Sequence, residues 1–346
     1  MEALEAGRPD PIPGCTALGQ PAGPHIARPT LPRPSRAALP ALKTYARLEH
    51  DGHQLPVGYV EASRGCKHLC RHCPIPPVYG GASSWCPRTW SWRTWRSRWR
   101  PAPGTSPSAI PTSSTGPGTR SEVARRLHRD FPAVTYDFTA KIEHLLRRAG
   151  DLPELAALGC ALRGVRGGVA ERRPCSRIST RGTTRADVEV ALSATRAAGI
   201  ALRPTWVAFT PWTTLGDFVE VLDWVAAPIS MDHVDPVQYS LRLLVPPGSL
   251  LVDHPGMRAL SGRLGPGAIS PTSGDTRTRG WRRCRPEWRP SLPNRPRGPK
   301  DRRRHASHRV RALAARAAGT PAPEPLAPGL IPRPAAPPRL TEPWFC

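Results

Sequence analysis

Residues 184–225, TRADVEVALSATRAAGIALRPTWVAFTPWTTLGDFVEVLDWV, decide the fold class. Thr184-x-x-Asp187 is a helix-opening capping pattern. Val188, Ala191 and Leu192 then share one helical face until Gly199 ends the helix. Ile200–Phe209 is short, apolar and rich in strand formers. Thr214-x-x-Asp217 opens a second helix, with Phe218, Val221, Leu222 and Val225 on its apolar side. Helix, strand and helix in succession predict an α/β chain with parallel strands.

The same alternation runs outward from this stretch. Upstream, Leu55–Ser63 (LPVGYVEAS) has strand character. Thr119-x-x-Glu122 reads as a capping box opening a helix to about Asp130, and Val134, Tyr136 and Phe138 alternate as a strand does. Lys141–Arg148 and Leu152–Leu158 are helical pieces, stopped at Gly159. Downstream, Val234–Val245 (VDPVQYSLRLLV) reads as a further strand. An open or closed β/α barrel and a doubly wound sheet both fit this order, and in both the working loops lie at the C-terminal ends of strands.

Composition interrupts the pattern. The 346 residues include 45 Pro and 30 Gly, too many for one continuous packed domain. Lys and Arg number 50 against 26 acids, a net charge of +24. Three segments hold most of that excess: 82–115 at +5, 161–182 at +5 and 270–310 at +10. The rest of the chain has the charge of an ordinary soluble domain, so a nucleic-acid partner is not expected. Trp85, Trp90, Trp92, Trp95 and Trp99 follow neither the helical nor the strand period. The stretch RGWRRCRPEWRPSLPNRPRGPKDRRRH has almost no aliphatic residues with which to offset chain entropy. A phosphate-binding arm with Trp stacking and a solvated linker are two readings of such segments. Their abrupt edges favour a third, out-of-frame translation of a GC-rich coding sequence. Residues 1–54 read as a Pro-rich linker or the remnant of an upstream module, 55–269 as the core, and 270–346 as a low-complexity basic segment and tail.

No apolar run approaches the roughly 18 residues of a membrane span. The N-terminus MEALEAGRPDPIPG lacks a signal peptide's basic-then-apolar pattern, and a cytoplasmic location is expected.

Chemistry concentrates in Gly65-Cys66-Lys67-His68-Leu69-Cys70-Arg71-His72-Cys73, a C-x3-C-x2-C motif. A closed structural zinc site wants four ligands, which His68, His72 or a distant Cys would complete. Three thiolates on a 4Fe–4S cluster instead leave one iron open.

C-x3-C-x2-C after a strand in an α/β chain resembles the radical S-adenosylmethionine (SAM) superfamily. The stretches GYVEASRGCKHLCRHCPIPPVYGG, VTYDFTAKIEHLL, LPELAALGC, TRADVEVAL, RPTWVAFTPWTTL and DHVDPVQYSLRLLVPPGSLL look like the bacterial members with a CUAEP or CCAEP tail, U being selenocysteine. The resemblance implies an incomplete (β/α)6 partial barrel with disordered Arg/Pro/Trp-rich insertions. It implies a 4Fe–4S cluster on Cys66, Cys70 and Cys73, with SAM bound at the open iron and cleaved reductively. It also implies a small-molecule or peptide substrate and an electron donor such as flavodoxin or ferredoxin. The chain ends TEPWFC at Cys346, about where the resembled tail begins, as if a selenocysteine codon had been read as a stop. The resemblance fails across the three odd segments, and His72 stands where many superfamily members have an aromatic residue. The expectation is therefore a chain that folds poorly and is catalytically impaired.

Lys141, Glu143, Arg203 and Gln238 are the candidates for cofactor contact on the barrel analogy, with Thr139 beside the first two. The bland alternatives are a solvated helix start for Lys141 and Glu143, and an ion pair for Arg203. Trp206 reads as core; Trp212, Tyr239 and Arg242 are weaker candidates. Two rivals stand against the enzyme reading: a basic nucleic-acid-binding protein with a structural zinc, and a non-catalytic iron–sulfur protein.

Overall fold

The structure is a computed structural model. It describes residues 40, 44–50, 52–57, 63–85, 111–113, 117–166, 183–210, 213–226, 233–241, 243–246, 248–255, 257–258, 301–321 and 338–341. Trp212, Arg242 and Cys346 lie outside these.

The strands are β1 (Arg47–His50), β2 (His53–Pro56), β3 (Ser63–Gly65), β4 (Ser83–Trp85), β5 (Pro111–Ser113), β6 (Tyr136–Lys141), β7 (Cys160–Arg166), β8 (Ala201–Thr205) and β9 (Arg339–Leu340). The helices are α1 (Pro76–Tyr79), α2 (Pro117–Asp130), α3 (Ile142–Arg147), α4 (Leu152–Ala157), α5 (Arg185–Ala197), α6 (Leu215–Ala226) and α7 (Asp301–Ala318). A parallel sheet in the order β5-β6-β7-β8 forms the centre, with α3 and α4 between β6 and β7, and α5 between β7 and β8.

Alternation sets the two faces of this sheet. On β6, Tyr136, Phe138 and Ala140 are buried, and on β8 Leu202 and Pro204 are. They pack with Leu127, Ile142, Leu145, Leu152, Leu155, Val188, Leu192, Phe218, Leu222 and Val225 from the helices. Each fully buried side chain of this size contributes about 1.5–3 kcal/mol of apolar burial. Asp137, Thr139 and Lys141 on β6, with Arg203 and Thr205 on β8, alternate onto the opposite, polar face. Thr139, Gly164 and Arg203 lie in one row across β6, β7 and β8.

Both threonine–aspartate capping patterns are formed. Thr184 Oγ1 accepts from the Asp187 N–H, and the Asp187 side chain accepts from the Thr184 N–H, at 3.2 and 2.7 Å. Thr214 and Asp217 do the same at 3.1 and 2.8 Å. The helix expected from Thr119 starts earlier, at Pro117. Proline is favoured in a first helical turn, where its fixed φ is already helical and its missing N–H has no partner to lose.

Several expectations are corrected. Val234–Val245 is not one strand. Pro236–Ser240 is a 3-10 helix, because Pro236 fixes φ and lacks the N–H a ladder needs. Only the next residues run beside the sheet's continuation: Phe209 N–H donates to Leu241 O at 3.0 Å, and Leu243 N–H to Phe209 O at 2.8 Å. Among the described residues the strands form a four-stranded sheet and two smaller sheets, and the six-stranded partial barrel is not confirmed.

The odd segments also hold structure. Residues 160–166 form β7, which pairs on both sides, and 111–113 form β5. A central strand takes its stability from two neighbours, which no local periodicity displays. Within the basic C-terminal segment, α7 buries Ala306, Ser307, Val310, Ala314 and Ala315. It packs on α6 and on the 3-10 helix, where Tyr239 Oη donates to Ser307 Oγ at 3.2 Å. Its small apolar residues recur at helical spacing, a stripe hidden by the arginines around it. Residues 47–50 also form a strand. Strand β1 pairs antiparallel with β2 and with β9 near the other end of the chain. Thr341 Oγ1 accepts from the Arg47 N–H at 2.9 Å, and Leu48 is fully buried at that junction.

Candidate metal centre

The three cysteines sit on one loop. Strand β3 ends at Gly65, the loop carries Cys66, Cys70 and Cys73, α1 follows, and β4 returns antiparallel to β3. The Cys loop thus hangs from a two-stranded hairpin beside β5, outside the four-stranded sheet. The Cys73 N–H donates to Cys70 O at 3.1 Å, closing a turn between two of the cysteines. None of the three cysteines is in a disulfide, and each is half-buried.

Glycine makes the loop possible. Gly65 has φ +83°, and a Cβ there would lie 2.5 Å from Ala82 O and 2.9 Å from Tyr79 Cδ1. The carbonyl is backbone and cannot yield. Gly65→Ala is therefore expected to cost about 1–3 kcal/mol and to free the loop, seen as faster alkylation of Cys66. Gly52→Ala is the control: its φ is +82°, but a Cβ there meets nothing within 4 Å. Equal effects of the two substitutions would leave backbone strain, not packing, as the cause.

The C-terminal end of β6 meets this loop. Lys141 Nζ donates to Cys70 Sγ at 2.9 Å. One turn on, the His144 ring stands 4.7 Å from the His68 ring. Burial pushes His72 towards its neutral form, and the Lys141 charge adds to this. His144 is pushed the same way, by burial first and then by His68 and Lys141. His72 and His144 are thus both held towards the uncharged state beside the Cys loop.

The other candidates are engaged elsewhere. Glu143 forms an ion pair with Arg147 at 2.9 Å along α3. Arg203 pairs with Asp235, both side chains about nine-tenths buried. Gln238 is buried, and its Oε1 accepts from the Trp206 N–H at 3.1 Å, capping the end of β8. Trp206 itself is core, against Trp224 and Tyr239. The structure therefore brings Lys141 to the cysteines, and gives Glu143, Arg203 and Gln238 protein partners.

Two groups escaped the sequence reading. His144 is separated from the Cys loop by some seventy residues of chain, and no local pattern pairs it with His68. Asp137 alternates with Tyr136 and Phe138 onto the polar face of β6, so its position was legible in the strand period. Its carboxyl oxygen Oδ1 is shielded from solvent although the residue as a whole is only half-buried. Burial pushes this carboxyl up to about 7, against a lowering by Arg203.

Among the described residues, no three Cys, His, Asp or Glu side chains already converge as a metal-binding group. The donor chemistry nevertheless fits a thiolate-held cluster: three soft sulfur ligands on one short loop, none in a disulfide, one already facing a cation. No described helix is long and apolar enough to cross a membrane.

Solved structures resemble part of this chain. The radical S-adenosylmethionine methyltransferase TsrM from Kitasatospora setae, solved with cobalamin and a 4Fe–4S cluster, matches at 18% identity and a TM-score of 0.40, over 49% of this chain and 34% of that one. The cobalamin-dependent S-adenosylmethionine radical enzyme OxsB, solved with aqua-cobalamin, matches at 16% identity and a TM-score of 0.40, over 56% of this chain and 28% of that one. The matched part spans about a third or less of either protein's length. No family model matches the chain, and no curated protein does. A TM-score of 0.40 reflects a partial arrangement, and the functional reading stands on the residues.

Proposed function

We propose that this chain is a radical SAM enzyme in which Cys66, Cys70 and Cys73 hold a 4Fe–4S cluster and SAM binds at the open iron. The observation that supports this most directly is the three-cysteine loop, none of it in a disulfide, facing the C-terminal end of a parallel strand, with Lys141 on Cys70. Such a cluster, when bound, supplies a low-potential electron for reductive cleavage of the SAM C–S bond. The chain's own residues do the rest. Gly65 and α1 set the course of the loop, the β3–β4 hairpin anchors it, and Lys141 and His144 tie it to the end of β6. The polar face of the sheet, with Thr139 and Thr205 half-buried on it, is the surface over which a small-molecule or peptide substrate lies. A flavodoxin- or ferredoxin-type reductant is the matching partner. Placement among the proteins with a CUAEP or CCAEP tail rests on the stretches quoted above.

Anaerobic reconstitution with iron and sulfide tests the proposal. About four irons per chain are expected, with an EPR signal of the reduced sample that SAM perturbs. Each of Cys66→Ser, Cys70→Ser and Cys73→Ser should lose most of that iron. Bound zinc in place of iron, or a cluster indifferent to SAM, would overturn it.

A further inference from the structure

We infer that Lys141 is an electrostatic tuning residue of the cluster site, acting through the Cys70 sulfur; this rests on the proposal that Cys66, Cys70 and Cys73 hold a 4Fe–4S cluster. Three observations carry it. Lys141 Nζ donates to Cys70 Sγ at 2.9 Å, with the pair partly buried. Its position is set twice over by the backbone, as the last residue of β6 and the residue immediately before α3. Just beyond it, on α3, the His68–His144 ring contact holds that helix against the Cys loop, so the lysine and the loop do not drift apart independently.

The chemistry follows from the charges. A lysine ammonium is a compact point charge with three donors, and one of them is spent on sulfur. Reduction adds one electron to a cluster whose charge is already delocalised onto its thiolate sulfurs. A cation and an N–H donor at one of those sulfurs favour the reduced, more negative state, and hydrogen bonds to the sulfurs are among the levers that set such potentials. Partial burial strengthens the effect by limiting screening. The lysine therefore makes the electron easier to accept. This differs from the sequence-based expectation for Lys141, direct contact with the cofactor.

The test is a dye-mediated potentiometric titration of the reconstituted full chain, read by EPR, with dithionite as the one-electron reductant. Lys141→Met keeps the length of the side chain and removes the charge. At a fixed applied potential its ratio of reduced to oxidised cluster is expected to fall about tenfold, which is ~59 mV for a one-electron couple. Lys141→Arg keeps the charge and should stay near wild type. A Lys141→Met potential equal to wild type overturns the inference, above all if SAM binding weakens instead, since that returns the lysine to the cofactor. If Lys141→Met loses its iron, Lys141→Arg decides: iron and potential retained support the charge role, and iron lost again overturns it. Failure of the wild-type chain to assemble a cluster overturns the underlying enzyme proposal, an outcome visible before any variant is made.

Discussion

Asp137→Asn is expected to remove most of the loss of stability that the wild-type chain suffers between about pH 4 and pH 7. Burial raises the Asp137 carboxyl from an ordinary 3.8 to about 7, and the Arg203 charge only partly opposes this. The unfolded chain releases this proton near the ordinary value, and the folded chain holds it until about 7. Folding is therefore favoured below about pH 4 and loses that advantage as pH rises through 7. At 1.36 kcal/mol per unit, the window is worth at most about 4 kcal/mol. Asparagine has the same shape and no proton to lose, so the variant should be more stable than wild type at pH 7.5. Denaturant unfolding of both proteins at pH 4.5 and 7.5 measures the difference. His72 and His144, both pushed towards the neutral form, act with the opposite sign over part of this range, but equally in both proteins, so they cancel. Identical pH profiles would mean that Asp137 ionises in the folded state as it does in the unfolded one.

Arg203→Met is expected to cost about 3–5 kcal/mol, because it strips the counter-charge from a buried carboxylate. Arg203 pairs with Asp235, with side-chain exposures of 11% and 10%. The same guanidinium lowers the Asp137 carboxyl, so its removal also pushes that group further up. Stability measured at pH 7 should fall by a large part of the 5–15 kcal/mol typical of a domain. Adding Asp235→Asn to Arg203→Met should recover part of the loss, since the stranded charge is gone. Their coupling in a double-mutant cycle gives the pair's own contribution. If Asp235→Asn alone costs as much as Arg203→Met and the double variant costs the sum, the two residues act independently and the pairing carries no energy.

How far these groups were legible depends on the range of the interaction that places each one. Thr184-x-x-Asp187 and Thr214-x-x-Asp217 act within a single turn, and both form as written. The alternation of Tyr136 and Phe138 likewise records which face of β6 is buried. Pro236 broke the expected last strand for an equally local reason, and its fixed φ was there to be read. Asp-Gly at 51–52 is an equally local hairpin signal in the sequence. The stripe of Ala306, Val310 and Ala314 in α7 lies among arginines, whose charge obscures its apolar period.

Other features have no local signature. Residues 160–166 show neither a clean alternation nor a helical face, yet they form the strand that joins β6 to β8. Backbone hydrogen bonds from both sides hold that strand, and such bonds are blind to side-chain pattern. The Arg203–Asp235 and Lys141–Cys70 pairs join residues thirty-two and seventy-one positions apart. A single chain read alone does not say which lysine will end a strand beside which sulfur.

The amino-acid order alone thus specified the alternation of helices and strands, the caps that start α5 and α6, and the three-cysteine loop with its soft-ligand chemistry. Each is a property of residues within about one helical turn or one strand, where steric preference, hydrogen bonding and spacing act directly. Tertiary packing assigned the partners: Lys141 to Cys70, His144 to His68, Arg203 to Asp235, and α7 to α6. Those pairings exist because the sheet and its helices bring distant segments together to bury apolar surface, and the polar groups carried along must find their complements where that burial leaves them.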